Sequence, residues 1–414
     1  MCKRIGLVLV IAALVLAALP VNVWAQEADE PVRTGLRPDA PPYGVRGPHS
    51  VGARDLVIDS DSPLEVTIWY PALNTEGVEE EITYAYEVKL DFMPDAVATV
   101  SGHAIRDAPA ELSASPYPLV ILSPGFSMGR TTYAWLAEHL VSYGFVVIAP
   151  EHHEIYDENW SDFWRATVTR PQDVLTVIAY ADELTGAGGT LEGLINTDLM
   201  AVTGHSYGGF TALAAAGARF DINGFTTRCD AAREADDPGV WVCDLLLPHV
   251  ADMAALAGLD PVPEGLWPAW ADPRVDAIVP MAGDAYIFDQ AGLAEITIPV
   301  MAIGGTLDGS TPYEWGAHPT YEYVSSANNA IVAFESARHN IFGSTCEALP
   351  FFADMGFYTA CSDPVWDMDR AHDLINHFTT AFLLAELYGD KEAAAALSLE
   401  AVHFPGIAYE TTGY

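Results

Sequence analysis

Six short apolar runs, Pro118–Leu122, Phe145–Ala149, Leu199–Thr203, Val275–Met281, Val300–Ile303 and Ile331–Phe334, recur through the middle of this chain. Each is nearly continuous in apolar residues instead of alternating with polar ones, the pattern of a strand buried on both faces. Stretches of helical character lie between them, including Thr132–Tyr143, Arg170–Leu184 and Gly208–Gly217. Such strands can hide both faces only if helices cover both, so the expected architecture is α/β, a mostly parallel central sheet with helices on both faces. Upstream, Asp55–Asp59 and Glu65–Tyr70 read as paired strands, the second stopped by Pro71, and Asn74–Glu81 reads as loop.

One stretch interrupts this rhythm. About fifty residues, 221–272, separate the helix after Leu199–Thr203 from the next strand, far more than such a connection needs. They carry two cysteines, several prolines and Trp241, Trp267 and Trp270, so we expect an inserted lid that shapes a pocket. At the other end of the chain, Ala371–Leu397 has helical character.

The first 25 residues have the marks of a secretory signal: Lys3 and Arg4, an apolar run Ile5–Leu19, and small residues suited to cleavage after Ala25. That run, about 15 residues, is shorter than the ~20 that span a bilayer, so no stable membrane anchor is expected. Residues 26–50 are rich in Pro, Gly and charge and read as an extended lead-in to a single catalytic domain over 51–414. The protein is therefore expected to be secreted or periplasmic. Cys229, Cys243, Cys346 and Cys361 are then an even set in an oxidising compartment. Three connectivities are possible, and the local one, Cys229–Cys243 with Cys346–Cys361, is the expected one.

The net charge is −39, and becomes −41 when Lys3 and Arg4 are lost (−39 − 2). So acidic a surface repels phosphate backbones and anionic membranes, which makes nucleic acid a poor partner.

Residues 204–208 read Gly-His-Ser-Tyr-Gly, the G-x-S-x-G nucleophile elbow. The pattern alone is weak, but here it follows a buried strand and opens a small-residue helix. Ser206 is the expected nucleophile of an α/β-hydrolase fold, activated by a base because a serine hydroxyl is weakly nucleophilic on its own. In this fold the order is Ser, acid, His, and His339 stands just past the last apolar strand. His318 precedes that strand; His372, His377 and His403 lie later and read as surface or packing residues. Asp308, on the loop after Val300–Ile303, is the favoured acid, and Asp284, after Val275–Met281, is the alternative. Oxyanion donors are expected from the N–H groups of Tyr207 and of Phe126, the latter on the loop after Pro118–Leu122.

Glu151-His152-His153-Glu154 invites a metal reading, but adjacent histidines on an extended chain point to opposite sides. These residues are instead expected at the pocket-side edge as rim or hydrogen-bonding residues, and no metal or cofactor is called for. Asp157-Glu158-Asn159-Trp160 continues an acidic, aromatic loop near them.

Leu122-Ser-Pro-Gly-Phe-Ser-Met-Gly-Arg130 and Ala137-Glu-His-Leu-Val-Ser-Tyr-Gly-Phe-Val-Val-Ile-Ala-Pro-Glu-His152 resemble the dienelactone-hydrolase-like family. That group includes bacterial relatives of platelet-activating-factor acetylhydrolase and, more distantly, cutinase-type polyester hydrolases. Val51-Gly52, Ile68–Pro71, Arg170–Val174 and the elbow extend the likeness. The resemblance implies a cofactor-free Ser-Asp-His esterase. It also sets limits: position 206 is serine, not the cysteine of true dienelactone hydrolases. The acetylhydrolase pattern would put the acid at Asp284, the cutinase pattern at Asp308.

The expected activity is hydrolysis of a small-molecule or lipid-like carboxylic ester through an acyl-enzyme. A lipase or polyester depolymerase, a serine peptidase of the same fold, and a non-catalytic binding protein that keeps the fold are the alternatives. The residues are silent on oligomeric state.

Overall fold

A computed structural model describes residues 35–60 and 62–414, so the expected signal segment lies outside the described residues. Among these residues the strands are β1 (Ser50–Ile58), β2 (Leu64–Ala72), β3 (Ile82–Glu87), β4 (Val97–Gly102), β5 (Ile105–Arg106), β6 (Tyr117–Ser123), β7 (Val146–Pro150), β8 (Ile195–His205), β9 (Val275–Met281), β10 (Val300–Gly305), β11 (Asn329–Phe334) and β12 (Ile407–Thr411). The helices are α1 (Ala134–Ser142), α2 (Phe163–Thr185), α3 (Tyr207–Ala215), α4 (Ile222–Ala235), α5 (Val240–Leu246), α6 (Val250–Leu256), α7 (Asp289–Leu293), α8 (Ala317–Tyr323), α9 (Phe351–Asp354), α10 (Met368–Tyr388) and α11 (Lys391–Ala396). None is long and apolar enough to cross a membrane.

Ten strands form one sheet in the order β12-β11-β10-β9-β8-β6-β7-β2-β1-β5. The block from β11 to β7 is parallel, while β2 and β12 run antiparallel to their neighbours. This is the α/β-hydrolase fold, with the six apolar runs as its parallel block. Burial on both faces explains their composition: Leu119 and Ile121 of β6 enter one core layer, with α2 and α3, and Val120 and Leu122 enter the other, with α1 and α10. β3 and β4 stand apart as a two-stranded antiparallel sheet.

From β6 the chain steps to β7 on one side, then returns to β8 on the other. Loops leaving the carboxyl ends of β6 and β8 therefore diverge, and a crevice opens between them where ligands of such sheets bind. Each candidate residue follows the carboxyl end of a strand of the parallel block: Phe126 after β6, Ser206 and Tyr207 after β8, Asp284 after β9, Asp308 after β10 and His339 after β11.

The described part of the N-terminal lead-in is docked on the body. The Leu36 and Arg37 N–H groups donate to the Asp373 carboxylate of α10 at 2.9 and 2.8 Å, and Tyr43 N–H donates to His377 Nδ1. The insertion folds into α4, α5 and α6. Trp267 is buried, and with Trp270 packs on Phe220 of the body, fastening the insertion's end. Disulfides join Cys229 to Cys243 and Cys346 to Cys361, the local pairing.

Candidate active site

Ser206 sits between β8 and α3 with φ 59° and ψ −122°, a left-handed conformation that a serine adopts only when its surroundings impose it. The surroundings are tight. A Cβ on Gly204 would lie 2.4 Å from the Ser123 carbonyl oxygen, and one on Gly208 would lie 1.9 Å from it. The two glycines let the turn press against the end of β6, and the hydroxyl is left facing the crevice.

The imidazole of His339 bridges two of the candidates. Its Nε2 is 2.8 Å from Ser206 Oγ, and its Nδ1 is 2.7 Å from Asp308 Oδ2. Asp308 is itself held by the N–H groups of Ser310 and Thr311, at 2.8 and 2.9 Å on Oδ1. With Nδ1–H donated to the carboxylate, Nε2 is left as an acceptor facing the serine hydroxyl.

Asp284, the alternative acid, lies elsewhere in the same cavity. Its Oδ1 accepts the Tyr286 N–H at 3.0 Å. Burial pushes its carboxyl up to about 7, against the pull of that N–H and of Arg228. The unfolded chain ionises this group near the usual value of about 3.9. Both states hold the proton below pH ~4; as pH rises to about 7 the unfolded state releases it first, so wild-type stability is lost over that window. The gain in melting temperature of Asp284→Asn over wild type should therefore be larger at pH 7.5 than at pH 4.5. Equal differences in thermal unfolding at the two values would contradict this reading of the carboxyl.

The cavity has a volume of about 410 Å³ and opens over Ser206 and His339. On one side its wall is aromatic: Phe126, Trp160, Phe163, Tyr207 and, from α5 of the insertion, Trp241. These rings pack on one another, Phe126 on Trp160 at 5.3 Å and Trp241 on Phe163 at 5.5 Å between centroids. Met128, Tyr133, Gly343 and Ala360 also line it. Among the described residues, neither the Phe126 nor the Tyr207 N–H meets a hydrogen-bond acceptor.

Several groups support the site, and Arg170 and His205 among them had no role assigned from sequence. Arg170, fully buried on α2, donates through Nη1 to the Pro124 carbonyl at 2.6 Å and through Nη2 to the Gly125 carbonyl at 2.8 Å. Its counter-ion is Glu154, which also accepts the Ser127 N–H. Burial alone would raise the Glu154 carboxyl, but the charges of Arg170 and Lys89 hold it well below the ordinary range. Beneath the same loop, His152 Nε2 is 2.9 Å from Ser123 Oγ and its Nδ1 is 2.6 Å from Asp173. This second Ser-His-Asp set is closed off, since Ser123 and His152 are both buried, and it ties the ends of β6 and β7 to α2. Of the two roles expected for this stretch, rim or hydrogen bonding, His152 takes the second as a buried strut, whereas His153 is exposed, on the opposite side. His205, inside the elbow, receives Tyr133 Oη–H on Nδ1 at 2.8 Å and donates from Nε2 to the His339 carbonyl at 2.9 Å. Burial holds it neutral, which suits one donor and one acceptor nitrogen.

A model of the chlorophyllase family matches residues 104–310. Among curated proteins, the chain is 24% identical over 224 residues to Cutinase est1 of Thermobifida alba, covering 54% of this chain and 53% of the relative. It is 32% identical over 106 residues to Cutinase est2 of the same organism, 26% of this chain and 32% of the relative. A bis(hydroxyethyl) terephthalate hydrolase of Streptomyces coelicolor is 29% identical over 145 residues, 35% and 43% respectively. The chain thus spans about half or less of the length of these relatives.

Proposed function

Because this chain belongs to the chlorophyllase family, we propose that it is an exported serine hydrolase of carboxylic esters, working through an acyl-enzyme. The observation that carries the reading is the single imidazole within hydrogen-bond reach of both Ser206 Oγ and Asp308 Oδ2. The named activities of the relatives, cutinase and terephthalate-ester hydrolase, support the ester class. The segments that resemble the dienelactone-hydrolase-like group support the same chemistry, and the paired cysteines suit export.

In the proposed mechanism Ser206 Oγ attacks the ester carbonyl carbon while its proton passes to His339 Nε2. Asp308 keeps Nδ1–H in place and stabilises the imidazolium that forms. The Phe126 and Tyr207 N–H groups bind the oxyanion. When the tetrahedral intermediate collapses, the alcohol leaves with the proton from Nε2, and Ser206 carries the acyl group. Water then attacks, delivers a proton to His339, and the second collapse frees the acid and restores the serine.

Hydrolysis of p-nitrophenyl esters from acetate to palmitate, together with labelling by a fluorophosphonate, tests this reading. Turnover of at least one ester, and a phosphonate adduct mapped to Ser206, are expected. An adduct elsewhere, or no turnover and no adduct, would overturn it.

A further inference from the structure

We propose that Asp284 determines specificity in this cavity, selecting esters of aromatic acids whose ring carries an uncharged hydrogen-bonding group, such as a hydroxyl, at the end away from the carboxyl. The proposal rests on the ester-hydrolase reading above.

Asp284 is a carboxyl that the triad does not use. His339 Nδ1 is taken by Asp308, and Asp284 Oδ1 by the Tyr286 N–H. Its Oδ2 receives no hydrogen bond from any described residue, although the side chain is only 3% exposed and lines the same cavity as Ser206. Oδ2 is not closed off within the protein, so it faces the cavity, where a ligand group can take the bond that water would otherwise make.

The surroundings narrow the ligand. Phe163, Tyr207 and Trp241 line the cavity together with Asp284, and Phe163 lies against Tyr207 with centroids 4.4 Å apart. Flat apolar walls favour a planar ring, and the Tyr207 hydroxyl is already bonded to Thr167. Among these walls Asp284 is the carboxyl, able to accept a hydrogen bond from a ligand hydroxyl, whereas the Trp241 indole N–H can only donate.

The charges around it favour a neutral substituent over an anionic one. Arg228 of α4, the cation that acts on the carboxyl, is engaged by Asp289. The other titratable groups that face it, Tyr286 on its own loop and Tyr207 on α3, are phenols raised above their ordinary range. With burial raising its own carboxyl to about 7, Asp284 holds its proton in mildly acidic solution, where it both donates and accepts.

The test compares kcat/KM for methyl 4-hydroxycinnamate and methyl cinnamate at pH 6, as a ratio within each protein. In wild type the hydroxylated ester should be favoured by about fivefold, the size of one net hydrogen bond. Asp284→Leu should bring the ratio to about 1, whereas Asp284→Asn, which still donates and accepts, should keep most of it. No preference in wild type, or a ratio unchanged in Asp284→Leu, overturns the proposal, and so does turnover of p-nitrophenyl acetate with neither cinnamate. The wild-type ratio decides the matter even if Asp284→Leu does not fold. If wild type hydrolyses no ester at all, p-nitrophenyl acetate included, the ester-hydrolase reading fails and takes the proposal with it.

Discussion

Ser206→Ala should lower kcat for p-nitrophenyl acetate by about 10⁵- to 10⁶-fold, and His339→Ala by a similar amount. In the proposed mechanism both groups act in one proton transfer across the 2.8 Å between Oγ and Nε2, so losing either would remove the same step. The double variant should accordingly be little slower than either single one. Asp308→Asn should cost less, roughly 10⁴-fold, because an amide at this position can present its N–H to Nδ1 and so favour the tautomer with the proton on the wrong nitrogen. Steady-state kinetics with each purified variant, its folding checked by circular dichroism, measures these losses. Turnover within tenfold of wild type in Ser206→Ala would remove Ser206 from the chemistry.

Arg170→Lys should lower kcat by about 10²- to 10³-fold and leave KM nearly unchanged. In a planar trans peptide the C=O and N–H point in opposite directions. Arg170 holds the Gly125 carbonyl at 2.8 Å, and so turns the Phe126 N–H the other way, toward the cavity that Phe126 lines. Lysine keeps the charge that Glu154 requires but lacks the planar fork that reaches two carbonyls at once. The peptide would then be free to rotate and the proposed oxyanion donor lost, which is typically worth that factor. Removing the charge outright is a poorer test, since an unpaired buried Glu154 costs about 3–5 kcal/mol of stability. The sharper readout is affinity for a trifluoromethyl ketone, which forms the oxyanion: it should weaken in parallel with kcat while KM holds. A variant that loses stability but keeps kcat and that affinity would make Arg170 a packing residue only.

The parallel block of the sheet was legible because a strand buried on both faces has a composition that loops and surface helices do not share. The elbow was legible because its glycines, serine and flanking elements are contiguous. What escaped is informative. β3 alternates between buried and exposed side chains and follows an acidic loop, so it lacks the continuous apolar signal of the central strands. β12 is a half-exposed edge strand for the same reason. Helix α2 begins at Phe163, one turn and more before the expected start at Arg170, and Pro171 lies within it. Proline is usually found near a helix start, whereas here it lies inside the helix.

At the site, the candidate nucleophile, base, favoured acid and oxyanion residues could each be placed from the strand they follow. The choice between Asp308 and Asp284 could not, since both follow strands whose ends reach the crevice, and only the direction of each side chain separates them. Arg170 and Glu154 were invisible as a pair, because sixteen residues of chain separate them and the carbonyls they serve belong to a third segment. Trp241 could be assigned to the insertion, but whether that insertion approached the cavity depended on packing.

The two rims of the cavity share a covalent property. Trp241 stands on α5, which the Cys229–Cys243 bond fastens to α4, and Ala360 stands next to Cys361, which is bonded to Cys346. Ser206, Asp308 and His339 follow strand ends instead, and hydrogen bonds rather than covalent staples hold them. The chemistry and the shape of the mouth are thus kept in place by different bonds. Material produced in a reducing cytosol would retain the same nucleophile and base behind rims that have lost their staples. Two preparations of one sequence can then share a rate on the smallest ester and differ on bulky ones, so comparisons of substrate range between hosts are comparisons of thiol state as well.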